Sequence, residues 1–256
     1  MYDMIIAGNN KLDVRIYETR REMGRAASEK FAREVNELLK TKEEINVVFA
    51  AAPSQNEFLE GLVDENLNWS RINGFHMDEY IGLAANAQQG FGNFLKHRLF
   101  DNFDFKSVNY LNGNAEDITL ECVRYTNLLK QYPVDIVCMG IGENGHLAFN
   151  DPPVADFEDE YIVKVVELDE ICRQQQVNDG CFATLEEVPK KALTLTIPAL
   201  LSANYINCVV PGPTKAEAVK HTLNSEISTE NPATILRSHP KAVLFLDQDS
   251  SKLINS

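Results

Sequence analysis

Between Val134 and Pro153 the chain reads VDIVCMGIGENGHLAFNDPP, with Asn144, His146, Asn150 and Asp151 crowded behind Gly140, Gly142 and Gly145. An imidazole titrates near neutral pH, and a carboxylate spaced to turn back on it fixes its tautomer, so His146 with Asp151 suits proton transfer. Asn144, two residues ahead of the histidine, can hydrogen-bond the ring without supplying charge. A second source of proton chemistry is the pair Asp78-Glu79, which closes the stretch Arg71–Met77 and is followed by Tyr80-Ile81. Apolar flanks bury at least one carboxylate of such a pair, and burial raises its pKa toward the range of a usable base. Two cations stand apart. Lys215 follows Pro211-Gly212-Pro213-Thr214 at a helix start, where the dipole disfavours a cation unless an anion binds at the same terminus. Arg173 lies in a charge-poor stretch, directly before three glutamines. Taken singly, each has an ordinary reading as a surface histidine, a solvated acid pair or an exposed cation; the crowding around strand ends argues for more.

Composition narrows the partners. The net charge is −14, and no stretch concentrates Lys and Arg as a duplex-binding surface requires, so nucleic acid is not expected. An anionic ligand must then be met by local cations and backbone donors against an unfavourable overall field. No apolar run is long enough to span a bilayer, and the first residues, MYDMIIAGNNKLDVRIYE, carry acids where a secretion leader has a basic start and an apolar run. The five cysteines are widely spaced without a C-x-x-C pair and read as reduced thiols of a cytoplasmic protein. Gly140-x-Gly142-x-x-Gly145 matches the dinucleotide fingerprint, but that motif needs a helix opening within it, and Pro152-Pro153 would end one within two turns. No nicotinamide or flavin is expected. Nor is a metal, because His76, His97, His221 and His239 show no ligand spacing with His146.

The elements that must position these residues follow from periodicity. Residues 16–40 and 115–130 carry amphipathic helical patterns, and 90–100 reads as a helix with an Arg and Lys face. Residues 45–52, 71–77, 134–139, 192–197, 205–210 and 242–246 are apolar, strand-like runs, and 161–168 alternates like an edge strand. Ser54 with Glu57, and Thr214 with Glu217, have capping-box spacing, and Asp169 is placed to cap a short helix. Strands alternating with helices predict an α/β fold with a largely parallel sheet covered on both faces, and the absence of a linker or repeat predicts one domain over residues 1–256. In such a sheet ligands bind beyond the carboxyl ends of the strands.

Six segments then carry a resemblance. MDEYIGL at 77–83, LNGNAED at 111–117, GIGENGHLAFNDP at 140–152, VPKKALTLTIPALL at 188–201, GPTKAEAV at 212–219 and HPKAV at 239–243 resemble, in this order, the glucosamine-6-phosphate deaminases. The superfamily includes 6-phosphogluconolactonases, which share the glycine turn and its G-H; AFN followed by an acid and proline is similar to the deaminase pattern. The resemblance implies a Rossmann-like three-layer domain and a cytoplasmic enzyme without metal or organic cofactor, monomeric or homo-oligomeric. Its partner would be a small-molecule sugar phosphate, glucosamine 6-phosphate, converted with water to fructose 6-phosphate and ammonia. Asp78 would move a proton between C2 and C1, and His146, oriented by Asp151 and Asn144, would assist ring opening at the ring oxygen. Lys215 would hold the phosphate with donors near Ser54, while Gly142, Gly145 and Arg173 would also face the substrate. Several positions depart from the family pattern: Asn144 stands for an acid, Asp151 for a glutamate, and AAAPSQNE replaces a loop rich in Thr, Gly and Ser. Gln176 falls where an arginine is usual, with Arg173 one helical turn away as its substitute. Two other functions stay open: sugar-phosphate lactone hydrolysis, which leaves Asp78 idle, and regulatory sugar-phosphate binding without turnover.

Overall fold

The apolar runs become strands and the amphipathic stretches helices in the computed structural model, which describes residues 3–4 and 12–254. The strands are β1 (Asp3–Met4), β2 (Asp13–Tyr17), β3 (Ile45–Phe49), β4 (Ile72–His76), β5 (Asp78–Tyr80), β6 (Ser107–Asn109), β7 (Ile136–Met139), β8 (Val163–Glu167), β9 (Lys191–Leu195), β10 (Tyr205–Val210) and β11 (Ala242–Asp247). The helices are α1 (Arg20–Leu38), α2 (Asn56–Gly61), α3 (Phe91–Arg98), α4 (Ile118–Gln131), α5 (Glu170–Asn178), α6 (Ile197–Leu201), α7 (Ala216–Asn224) and α8 (Gln248–Ser251).

The main sheet has the order β1-β2-β11-β10-β7-β3-β4-β6, parallel from β2 to β6 with β1 antiparallel at the edge. Strand alternation sorts its side chains into two cores. Ile45, Val47 and Phe49 of β3 and Ile136 and Cys138 of β7 face one side, where α1 adds Met23, Ala27, Phe31 and Val35. Val48, Val137 and Met139 face the other, where α4 adds Tyr125 and Leu129 and α7 adds Val219 and Leu223. Each fully buried Leu, Val or Phe side chain stabilises by about 1.5–3 kcal/mol, so the fold is held by these two layers together. The expected three-layer α/β arrangement is thus observed, with helices on both faces of a mostly parallel sheet.

The chain steps from β3 outward to β4 and β6 on one side, and from β7 outward to β10 and β11 on the other. The direction of winding therefore reverses between β3 and β7, and a crevice opens beyond their carboxyl ends. A second sheet of order β5-β9-β8 is antiparallel and sets Asp78 opposite Thr194. The alternation over 161–168 does mark an edge strand, β8, but local pattern does not reveal that it belongs to a separate sheet.

Several local expectations are corrected. Ile16 and Tyr17 belong to β2, and the first helix begins only at Arg20, behind a capping box made by Thr19 and Glu22. Ser54 and Glu57 form no such box: residues 53–55 make a 3-10 turn, and the Glu57 carboxylate accepts from Arg20 Nε at 2.6 Å. Thr214 likewise makes no side-chain cap; a 3-10 turn over Pro213–Lys215 leads into α7. Asp169 does cap α5, accepting from the Ile171 N–H. Half of the N-terminal stretch considered as a leader, residues 1–2 and 5–11, lies outside the described residues. No helix among the described residues is long and apolar enough to cross a membrane.

Candidate active site

The crevice is walled by the loops after β3, β4, β7 and β10, and it gathers Ser54, Asp78, Gly142, His146, Gln176 and Lys215 around one cavity. Three of these are titratable yet almost sealed: Asp78 is 7 % exposed, His146 8 % and Lys215 5 %. Burying ionisable groups is costly unless they are paired or put to use, so their pairing is the informative part.

Asp78 opens β5, with only Met77 between it and the end of β4. Among the described residues its carboxylate accepts no hydrogen bond, and burial, with Glu79 beside it, pushes its pKa well up. Glu79 has the opposite fate. Its carboxylate accepts from the backbone N–H groups of Tyr80, Phe91 and Gly92 at 2.9, 3.1 and 2.8 Å, which ties β5 to the first turn of α3. Only the first acid of the pair is left for chemistry.

The turn after β7 presents the histidine. His146 Nδ1 lies 2.8 Å from Asn144 Oδ1 and 3.0 Å from Asp151 Oδ1, while Asn144 Nδ2 donates to the same Asp151 oxygen at 2.9 Å. Two acceptors at Nδ1 assign the proton to that nitrogen and leave the Nε2 lone pair for a reactant. Burial raises the Asp151 carboxyl, but His146, Asn144 and the Cys172 thiol together hold it below its ordinary value. The turn is anchored from behind: Asn150 Nδ2 donates to the carbonyls of Leu147 and Leu195, both at 2.8 Å, and Phe149 N–H donates to Thr194 Oγ1 at 3.1 Å. Ala148, at φ +51°, is a non-glycine residue in the left-handed region on the cavity wall.

Gly142 and Gly145 were expected on the substrate side, and here the geometry gives a different account. Gly142 N–H donates to His146 C=O and Gly145 N–H to Gly142 C=O, both at 3.0 Å, so neither amide is left for a ligand. Gly142 exists to admit the imidazole, since a Cβ there would lie 2.1–2.3 Å from three ring atoms. Gly145 takes φ +83°, a conformation natural to glycine. No helix follows the glycines, which removes the structural basis of a pyrophosphate site.

At the other end of the cavity, Lys215 immediately precedes α7, and no hydrogen bond or ion pair engages its ammonium among the described residues. Burial pushes its pKa down, against the opposing pull of Asp179 and Glu143. Ser54 Oγ accepts from Gln55 Nε2 at 3.2 Å on the same wall. Arg173 is not brought into the cavity. Its guanidinium donates to the carbonyls of Leu185 and Val188, the latter at 3.0 Å, so it secures the loop after α5 and cannot substitute for a ligand arginine. The buried side of α5 supplies Cys172, Gln175 and Gln176 instead. Gln175 is committed, accepting from Glu143 N–H at 2.8 Å.

Sequence spacing gave no hint of Cys172. Its sulfur, an Asp151 oxygen and a His146 nitrogen lie within 4.8 Å of one another, close enough for a metal ion to be considered. Burial and the neighbouring Asp151 carboxylate push the Cys172 thiol well up, so in the absence of an ion it sits beside the site as a neutral group.

Residues 18–245 match the family described as glucosamine-6-phosphate isomerases/6-phosphogluconolactonase. The chain belongs to this family. A glucosamine-6-phosphate deaminase of Bacillus cereus (strain B4264) is 35% identical over 219 residues, spanning 86% of this chain and 82% of that protein. A monomeric glucosamine-6-phosphate deaminase of known structure superposes with a TM-score of 0.85 at 30% identity, covering 94% of this chain and 99% of the other. The 6-phosphogluconolactonase of Thermotoga maritima superposes with a TM-score of 0.73 at 21% identity over 91% and 98% of the two chains, a likeness of fold alone. Within this isomerase and lactonase family, the crevice described above lies where an α/β sheet places its ligand. Phe91 and Phe149 close one side, with ring centroids 5.5 Å apart and planes at 25°. Neither was singled out from the sequence, because an apolar residue that walls a cavity has the same local pattern as one that fills a core.

Proposed function

We propose that the protein converts glucosamine 6-phosphate and water to fructose 6-phosphate and ammonia. The observation that carries this reading is the shared cavity of two proton carriers of different kind: an unpaired buried carboxylate, Asp78, and an imidazole, His146, held through Nδ1 so that Nε2 faces the reactant. Lactone hydrolysis needs the imidazole to activate water and has no use for the carboxylate; an aldose–ketose rearrangement needs both.

In this reading His146 takes the proton of the C1 hydroxyl and returns one to the ring oxygen, opening the sugar to its aldehyde. Asp78, its proton affinity raised by burial, then removes the C2 proton beside that aldehyde and delivers a proton to C1. The amine at C2 gives up one proton as the C1 oxygen gains one, so that C1 becomes a hydroxymethyl group and the nitrogen an imine; water adds to the imine, and ammonia departs to leave the ketone. Asp151 and Asn144 fix the imidazole, and Asp151 stabilises the imidazolium through its charge. Lys215 meets the phosphate, with Ser54 and Gln176 as neutral donors on the same wall.

The test is ammonia release from glucosamine 6-phosphate, with galactosamine 6-phosphate and 6-phosphogluconolactone in parallel. Ammonia from an amino sugar is expected. Lactone hydrolysis without ammonia, or ligand-induced thermal stabilisation without any turnover, would replace this reading with one of the other two. A second expectation concerns the anion. Charge-assisted hydrogen bonds contribute about 1.5–3 kcal/mol, so Lys215→Met should raise KM by about 10- to 100-fold. Because a lone buried ammonium is removed, the variant should not lose stability. An unchanged KM would show that the phosphate is held elsewhere.

A further inference from the structure

The segment that carries Asp78 is gripped by a histidine that takes no part in the site. His76 ends β4 and is fully buried, and it lies outside the catalytic cavity. Its ring uses both nitrogens. Nε2 lies 2.9 Å from the Leu111 N–H, which only an acceptor can satisfy, so the proton is on Nδ1, which donates to the Asp78 carbonyl at 2.9 Å. Burial pushes the ring's pKa down to about 4, so it stays neutral and keeps this one-donor, one-acceptor pattern at neutral pH. The backbone of His76 is itself pinned: its N–H donates to Tyr125 Oη at 3.1 Å, and that hydroxyl lies 2.9 Å from its C=O.

We propose that His76 is a positioning residue for Asp78, an internal strut that joins the loop after β6 to the backbone of the proton-carrying carboxylate. The carboxylate makes no hydrogen bond of its own among the described residues, so its direction is set by the main chain that bears it. That main chain is fixed on one side by β9, through Met77 C=O accepting from Leu195 N–H at 2.7 Å and the Asp78–Thr194 pairing. On the other side the imidazole is what holds it. Misplacing a reacting group by about 1 Å can cost on the order of 100-fold in rate, which sets the scale of the expected effect.

The inference rests on the deaminase reading for its kinetic test and has a second test that does not. His76→Leu removes both ring contacts at similar volume, whereas His76→Gln restores a donor and an acceptor on one side chain. In the full-length protein His76→Leu should lower kcat by about 10- to 100-fold with KM within about 2-fold, since Lys215 and the phosphate wall are untouched. The isotope effect with C2-deuterated substrate should rise, and His76→Gln should recover most of the rate. Tyr125→Phe, which loosens the same segment from the other end, should show the same signs to a smaller degree and stands in if His76→Leu fails to fold. A folded His76→Leu or Tyr125→Phe variant with wild-type kcat and isotope effect would overturn the proposal. So would a loss that His76→Gln does not relieve. If the wild-type protein releases no ammonia, the deaminase reading fails, and carbon NMR titration of the Asp78 carboxyl decides the strut alone. Loss of His76 should let that carboxyl reach water and titrate lower; an unmoved titration would refute the strut.

Discussion

Asp78→Asn should all but abolish ammonia release while making the protein more resistant to unfolding. The kinetic half follows from removing the one carboxylate that, among the described residues, lines the cavity free to carry a proton; general acid–base catalysis is worth about 10²–10⁴-fold, and kcat should fall by that much with substrate binding retained. The stability half follows from the sign of the pKa shift. Burial raises the Asp78 carboxyl well above its ordinary value of 3.8, so between that value and its folded-state pKa the native protein holds a proton that the unfolded chain has released. Stability from this group is present below the ordinary value and is lost as pH rises through that window. Asparagine keeps the shape without the charge and escapes the loss. Unfolding curves from pH 4 to 8 should therefore show the gain of the variant over wild type growing with pH until the native carboxyl has ionised. A variant that keeps a tenth or more of wild-type kcat would remove Asp78 from the mechanism. One whose stability gain does not depend on pH would mean that the carboxylate is not desolvated.

The second large effect is expected from adding one methyl group. Gly142→Ala places a carbon where the His146 imidazole now lies, 2.1–2.3 Å from its ring atoms. The backbone cannot give way easily, because Gly142 N–H is bonded to His146 C=O within the same turn. The ring must rotate out, and it then leaves Asn144 and Asp151 behind. Loss of its position should cost kcat on the order of 100-fold, with the Lys215-dependent part of binding intact. The expected signature is a kcat defect without a matching KM defect, and a shift of the His146 ring resonances. A variant with near-normal kcat would mean that the imidazole acts from a different rotamer.

The parts of this arrangement that were legible in the sequence are those encoded by neighbouring residues. The run 134–139 is buried on both faces of a parallel sheet, so its strand character shows without alternation, and Gly142 and Gly145 mark a turn whose backbone and space other residues would obstruct. His146, Asn144 and Asp151 lie within one turn, so their meeting could be anticipated. Lys215 could be found because a cation at a helix start is locally wrong. What was misread depended on distant partners. The Ser54–Glu57 spacing is a good cap signal, but Arg20, thirty-seven positions away, takes the glutamate. Arg173 looked available for a ligand until the loop at 185–188 folded back onto it. Glu79 could not be told from Asp78 before α3 was in place to spend its oxygens, and nothing near His76 in the chain announces Leu111 as its partner.

The antiparallel β5-β9-β8 sheet ties the two sides of the cavity to one strand. Asp78 pairs with Thr194 on β9, and the hydroxyl of that same Thr194 receives the Phe149 N–H of the His146 turn, while the next carbonyl, of Leu195, receives Asn150. One strand is thus the common datum for both proton carriers, in the way that a single rail sets the gauge of two wheels. Drift in β9 displaces the two together and keeps their separation, so the spacing between them outlasts changes in the surrounding walls. Under the proposed reaction, substitutions on the wall that would meet the anion, where this chain carries an alanine-rich loop and Gln176, leave the separation of Asp78 and His146 as it is.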